Sequence, residues 1–258
     1  MDLIFFSIAL FLFGAVFGSF LNVCIYRLPR KESIVSPGSR CPGCGHELRW
    51  FENVPLISYA ALKGKCKNCG EPISWRYPLV EFLNAALWAF AGWRFGIEPV
   101  VLPALLFIST MIIIFFIDLE YQIIPNVVVL PVAVIGLVAM VAISLTTKDP
   151  DFPVWWAFPL SGLIAAAVFL SIAVAVPKGM GMGDVKMVGM MGFFLGRSAA
   201  LGIFIGVLLG SLIGIGLMVA GKKGRKSRLP LGPFLAVGAL IAFFYGEAIM
   251  GPYLGLFE

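Results

Sequence analysis

Histidine is almost missing from this chain: among 258 residues there is only His46. Any mechanism that needs two histidines is excluded, and neither a Ser–His–Asp, a Cys–His nor an H-E-x-x-H constellation is available. Charge is scarce as well. Charged residues make up 13% of the chain, against about 25% in an ordinary soluble domain. Hydrophobic residues reach 60%, which excludes a soluble enzyme and a disordered chain. Five cysteines are too few for a disulfide-dense secreted scaffold. What remains is a polytopic membrane protein with its chemistry concentrated in a few polar stretches.

A membrane helix needs about 20 mostly apolar residues. Eight windows are candidates: 3–25, 78–96, 100–118, 126–145, 155–176, 185–196, 199–220 and 231–250. The fold class is therefore all-α, with about eight transmembrane helices. The sixth window is short, so a broken or partly buried helix is expected there; if it is re-entrant, seven full spans remain. The first window precedes Arg27, Arg30 and Lys31 instead of following basic residues, and no small-residue cleavage site comes after it. It reads as a retained helix with its N-terminus outside.

Eight spans place successive loops on alternating sides. Segments 27–77, 177–186 and 221–230 together carry sixteen of the nineteen Lys and Arg. The opposite side keeps only Arg94, Lys148 and Arg197. The positive-inside rule makes the basic side cytosolic and both termini external. Topology accounts for the net charge of +5, so no nucleic-acid partner is implied.

The one sizeable segment outside the bilayer, 27–77, holds Cys41-Pro-Gly-Cys44 and Cys66-Lys-Asn-Cys69. Each pair is followed by a glycine (Gly45, Gly70) that permits a tight turn presenting two thiolates to one metal. Two such knuckles give a closed four-sulfur zinc site, and a cytosolic position argues against disulfides. A redox C-x-x-C is the alternative. The metal would staple a segment too poor in apolar residues to fold alone. His46 could replace a sulfur but reads better as a solvated side chain, and Cys24 reads as a small hydrophobe in the first helix. Between the knuckles, the aromatic run Trp50–Tyr59 with Glu52 and Asn53 either lines a ligand pocket or lies on the membrane interface.

Ionisable groups inside membrane segments are costly and mark function by default. Asp118 ends the third window. Asp184 opens the sixth, within Gly179-Met-Gly181-Met-Gly183-Asp184-Val-Lys186. The topology puts both at the cytosolic face, where they can meet. Gly181 and Gly183 allow close backbone approach beside Asp184. Two adjacent carboxylates share a proton, so one can activate water while the other protonates the scissile group. Glu81 reads as structural, paired with Arg76 or the zinc segment, Glu247 as interfacial, and Glu120 as lying on another helix face. Without the resemblance below, a proton- or metal-coupled transporter using the same carboxylates is the rival, although midplane sites and internal repeats are not evident.

These motifs together resemble the type IV prepilin peptidases. Residues 18–29, Gly18-Ser-Phe-Leu-Asn-Val-Cys-Ile-Tyr-Arg-Leu-Pro29, match the opening signature of that family. The paired C-x-x-C motifs, Glu52-Asn53-Val54-Pro55, Asp118 with Ile124-Pro125, and Gly181-Met-Gly-Asp184-Val-Lys186 match in order along nearly the whole chain. The resemblance implies a multi-pass protein of the bacterial inner membrane. Its catalytic pair would be Asp118 and Asp184, with Gly181, Gly183 and Lys186 in the active-site loop. Its substrates would be prepilins or pseudopilins, cut after a glycine at the end of a basic leader. The new N-terminus would be methylated from S-adenosylmethionine, an activity the family associates with the zinc segment and here with Glu52, Asn53 and Lys65. The chain then divides into a first helix (1–26), a zinc-binding, methyltransferase-associated segment (27–77) and an aspartic peptidase core (78–258).

Overall fold

The computed structural model describes residues 2–147, 152–176, 180–221 and 229–254, with side chains described up to residue 250. Lys148, Lys178 and the basic run 222–228, on which part of the topology reading rests, lie outside the described residues. The described residues fold into nine α-helices and no sheet. They are α1 (Asp2–Arg27), α2 (Ile57–Ala61), α3 (Arg76–Phe95), α4 (Val101–Tyr121), α5 (Asn126–Thr146), α6 (Ala157–Ala175), α7 (Met182–Leu195), α8 (Ala199–Val219) and α9 (Gly232–Leu254). Every helix but the one-turn α2 falls on one of the eight apolar windows.

Six helical runs are long and apolar enough to cross a membrane: α1, α4, α5, α6, the continuous stretch Met182–Val219, and α9. This is a multi-pass membrane protein. α3 is 20 residues long but carries Arg76, Glu81 and Arg94, which lower its apolar content. α7 has 14 residues, a rise of about 21 Å against a hydrocarbon core of about 30 Å. It is the broken segment expected there: Gly196, at φ +53°, ends it, and a 3-10 turn at Gly196–Ser198 leads into α8.

Packing divides the chain into two compact units, Met1–Val101 and Leu102–Glu258. In the first, α1 and α3 approach along their backbones. A Cβ on Gly18 would stand 2.6 Å from Glu81 Cα, and one on Gly14 2.9 Å from Ala85 Cα. Small residues are how helices associate where lipid removes the hydrophobic drive. Two buried amides lock the register: Asn84 Nδ2 donates to the Gly14 carbonyl at 2.7 Å, and Asn22 Nδ2 to that of Tyr77 at 3.0 Å. The rest of α1 presents Ile4, Phe5, Leu12 and Phe13 outward, a surface suited to lipid.

In the second unit α4 is the most enclosed helix, its apolar face buried nearly all round. Phe107 stacks on Phe194 of α7 and Phe243 of α9, with ring centroids 4.7 and 5.2 Å apart. α6 and α7 meet at Gly162 and Gly192, where a Cβ on Gly192 would lie 2.4 Å from Gly162 Cα. α8 and α9 meet likewise at Gly206 and Gly238. Glycine contacts thus hold α7 firmly although it is shorter than the hydrocarbon core is thick.

Candidate active site and metal centre

Asp118 lies in the last turn of α4 and is 5% exposed. Its Oδ2 accepts a hydrogen bond from the backbone N–H of Gly232 at 2.9 Å. Gly232 is the first residue of α9, so an unpaired helix N-terminal donor meets a carboxylate. No side chain fits there: a Cβ on Gly232 would sit 2.7 Å from that same Oδ2. Gly232 escaped the sequence reading. The available signal was Pro233 directly after it, since proline favours the first helical turn.

Asp184 occupies the first turn of α7 and is half-buried. Its Oδ2 accepts from the Gly181 N–H at 3.2 Å, a carboxylate reaching back to an otherwise unsatisfied helix-start donor. Asp118 and Asp184 lie within electrostatic reach of each other. Two carboxylates from helices far apart in sequence are therefore close enough to feel each other's charge. Gly183 backs against Ile124, whose Cβ would be 2.9 Å from any Cβ added to that glycine. Lys186 Nζ donates to Asn126 Oδ1 at 3.0 Å, tying the start of α7 to the start of α5. The structure thus brings Asp118, Asp184, Gly181, Gly183 and Lys186 into one neighbourhood and adds Gly232 and Asn126.

In the first unit the two knuckles repeat one hydrogen-bond pattern. Cys41 N–H donates to His46 O and Gly45 N–H to Cys41 O, both at 2.9 Å. Cys66 N–H donates to Glu71 O at 2.8 Å and Gly70 N–H to Cys66 O at 2.9 Å. Gly45 and Gly70 have φ of +71° and +74°, the left-handed turns that glycine permits. All four Sγ atoms lie within 4.8 Å of one another, and those of Cys41 and Cys69 are 3.8 Å apart. Tetrahedral sulfurs at about 2.3 Å from a zinc ion are separated by about 3.8 Å, so the donor set fits zinc. The Asn68 amide, then the His46 backbone, draw the Cys44 thiol down to about 6, while Cys69, against a lowering backbone bond at Glu71, is pushed up to about 12 by burial and the other three sulfurs.

Glu52 joins the knuckles. Its side chain is 3% exposed, with Oε2 3.2 Å from His46 Nε2 and Oε1 3.9 Å from Lys67 Nζ. Oε2 also accepts the Arg49 N–H at 2.9 Å. That backbone bond, opposed by burial and helped by His46, holds the carboxyl below the usual range. His46 is therefore engaged with a carboxylate where a freely solvated ring was expected. Lys65 is exposed, while Asn53 lines a cavity. Glu81 accepts the Leu56 N–H at 2.8 Å, so it serves the segment between the knuckles. Cys24 is buried, as a small hydrophobe would be, and Glu247 is exposed and accepts the Ser198 hydroxyl at 3.2 Å.

Residues 12–95 match the bacterial peptidase A24 N-terminal domain and residues 105–219 match the type IV leader peptidase family. A Bacillus subtilis (strain 168) protein is 36% identical over 95% of this chain and 96% of its own length. A Pseudomonas aeruginosa protein is 33% identical over 96% of this chain and 93% of its own length, and one from Dichelobacter nodosus is 34% identical over 95% and 93%. All three are named prepilin leader peptidase/N-methyltransferase. No solved structure matches the chain. Transport is disfavoured as the use of the paired carboxylates, because both domain matches and all three relatives point the same way: this chain belongs to the type IV leader peptidase family.

Proposed function

We propose that this protein cleaves the basic leader of type IV prepilins or pseudopilins after a glycine and methylates the new N-terminus. The observation that carries the cleavage reading is that Asp118 and Asp184 lie within electrostatic reach of each other in a chain with no second histidine. With one proton between them, the ionised carboxylate takes a proton from water as the water oxygen bonds to the scissile carbonyl carbon. The protonated partner gives its proton to the carbonyl oxygen. The resulting diol collapses, the C–N bond breaks with its electron pair on nitrogen, and that nitrogen takes the proton drawn from water. Gly232 N–H and Gly181 N–H hold one oxygen of each carboxylate, which leaves the other oxygen of each for substrate.

The sixteen-to-three division of basic residues supports a cytosolic zinc segment, external termini and an inner-membrane location. A prepilin helix stays in the membrane while its leader projects into the cytosol, so this orientation supplies the scissile bond at the face where Asp118 and Asp184 sit. Segment 27–77 would hold one structural zinc ion through Cys41, Cys44, Cys66 and Cys69, cross-linking the two knuckles. The same segment, with Glu52, Asn53 and Lys65, is assigned to methyl transfer, and 78–258 to the peptidase. S-adenosylmethionine would supply an electrophilic methyl group on a sulfonium sulfur.

The test is to incubate purified protein in detergent or nanodiscs with a prepilin and S-adenosylmethionine and weigh the product. Loss of the leader together with one added methyl group is the expected result. An intact substrate with a folded enzyme would remove the cleavage reading, and an unmethylated product would remove the second activity.

A further inference from the structure

Two signature motifs are not used by the aspartates: the Gly18–Pro29 stretch, which ends α1 and runs just past it, and Glu52-Asn53-Val54-Pro55. They lie in different parts of the first unit, yet residues of both line one cavity of about 310 Å³. Ser19, Phe20 and Arg27 come from α1, Pro37 and Ser39 from the first cysteine loop, and Asn53 from the second motif. Ligand pockets start at about 300 Å³ and combine apolar walls with a few placed polar groups, which describes this one.

The walls are held by buried polar contacts. Arg27, 9% exposed, donates from Nη1 to the Ser33 carbonyl at 2.8 Å and from Nη2 to those of Pro37 and Gly38 at 2.7 and 3.1 Å. Three of its five N–H groups are spent on the loop, leaving two. Next to the lining residue Pro55, the Leu56 backbone has φ +62° and the Ile57 N–H bonds to the Pro55 carbonyl at 2.6 Å, a γ-turn of the rare, strained kind. The buried Glu81 carboxylate fixes that turn by accepting the Leu56 N–H at 2.8 Å, with the Ser19 side chain near it. Strain maintained by a buried carboxylate beside a cavity is a mark of a functional site.

We propose that this cavity binds the adenosyl sulfonium methyl donor. Apolar surface from Phe20, Pro37 and Pro55 takes the flat base. Asn53 and Ser39 take ribose or base edges, and the free N–H groups of Arg27 take the amino-acid carboxylate. Glu81, one hydroxyl behind the lining, supplies the negative charge a sulfonium needs. Among the three residues expected to serve methyl transfer, Asn53 contacts the donor, whereas Glu52 braces the knuckles that support the cavity wall. The inference rests on the methyltransferase reading above.

The test uses the full-length zinc-loaded protein in nanodiscs. Ultraviolet cross-linking with radiolabelled S-adenosylmethionine and peptide mapping should place the label within 16–27 or 34–55. S-adenosylhomocysteine binding by calorimetry should weaken about tenfold or more in Asn53→Ala and in the cavity-filling Val23→Trp. Label mapping elsewhere, or wild-type affinity in a variant that retains its zinc, overturns the proposal. Where a variant loses its zinc, the cross-link on the wild type decides. Should the wild type cleave prepilin but neither bind S-adenosylhomocysteine nor methylate, the methyltransferase reading itself falls. Should it methylate while the label maps elsewhere, only this placement falls.

Discussion

The four-cysteine segment and the aspartate site solve the same problem, fixing a few polar groups in a largely apolar molecule, by different means. In the segment 27–77 the chain is too short of apolar residues to pack, so sulfur geometry, left-handed glycines and a buried Glu52 do the fixing. At the aspartates there is no cross-link. Helices brought together by glycine–backbone contacts present two carboxylates to the unsatisfied N–H groups at the starts of α7 and α9. With zinc on its four sulfurs, the first kind of site would depend on a ligand that can be removed, the second on packing that cannot be removed without the fold. Substitutions in the two regions should therefore fail differently.

The largest effect belongs to the aspartates. Asp118→Ala and Asp184→Ala should each lower prepilin cleavage by at least about a thousandfold, with zinc content and melting temperature close to wild type. Either variant cleaving at a near-normal rate while folded would take that residue out of the chemistry.

Cys66→Ser should fall next. Metal binding is coupled to folding in such segments, so bound zinc should drop from one per chain to near zero, and protease should nick 33–75. Cleavage by the second unit should persist, and elemental analysis beside limited proteolysis reads both. Retained zinc, or collapse of α4–α9, would erase the contrast between the two regions.

Gly232→Ala tests the packing side of the comparison directly. The new methyl group would press on Asp118 Oδ2 at 2.7 Å, and small misplacement of a reacting group is expensive, so kcat should fall about tenfold to a hundredfold with KM little changed. An unchanged kcat would mean that α9 does not set the position of Asp118.

The smallest effect is at Glu52. Its carboxyl is held below the usual range, so its contribution is present above the unfolded carboxylate value of about 4.3 and fades as pH falls through the folded value. Glu52→Gln should lower the chelator concentration that releases zinc at pH 7, and the gap to wild type should narrow on acidification. A gap that stays constant with pH would show that the charge of Glu52 is not what braces the knuckles.

Hydropathy and charge made the helices legible because lipid leaves the chain almost no alternative: each apolar window must satisfy its own backbone as a helix. The fifth window, read as 155–176, becomes Ala157–Ala175, and the sixth is as short as its residues foretold. The four cysteines were equally legible, since two knuckles of fixed spacing suffice to define a tetrahedron. The engagement of His46 was not, because its partner is chosen by the 3-10 turn that carries Glu52 inward.

The residues alone determined that two aspartates, Asp118 and Asp184, fall at the ends of apolar windows in a chain with a single histidine. Only the tertiary structure decided that they come within electrostatic reach, that Gly232 from the start of the last helix holds Asp118, and that Ser19, Arg27 and Asn53 line one cavity. The physical reason is range. Helix formation and knuckle turns are local and are written in adjacent residues. A backbone N–H reaching a carboxylate far away in sequence leaves no mark in composition or period, because every residue except proline carries that donor.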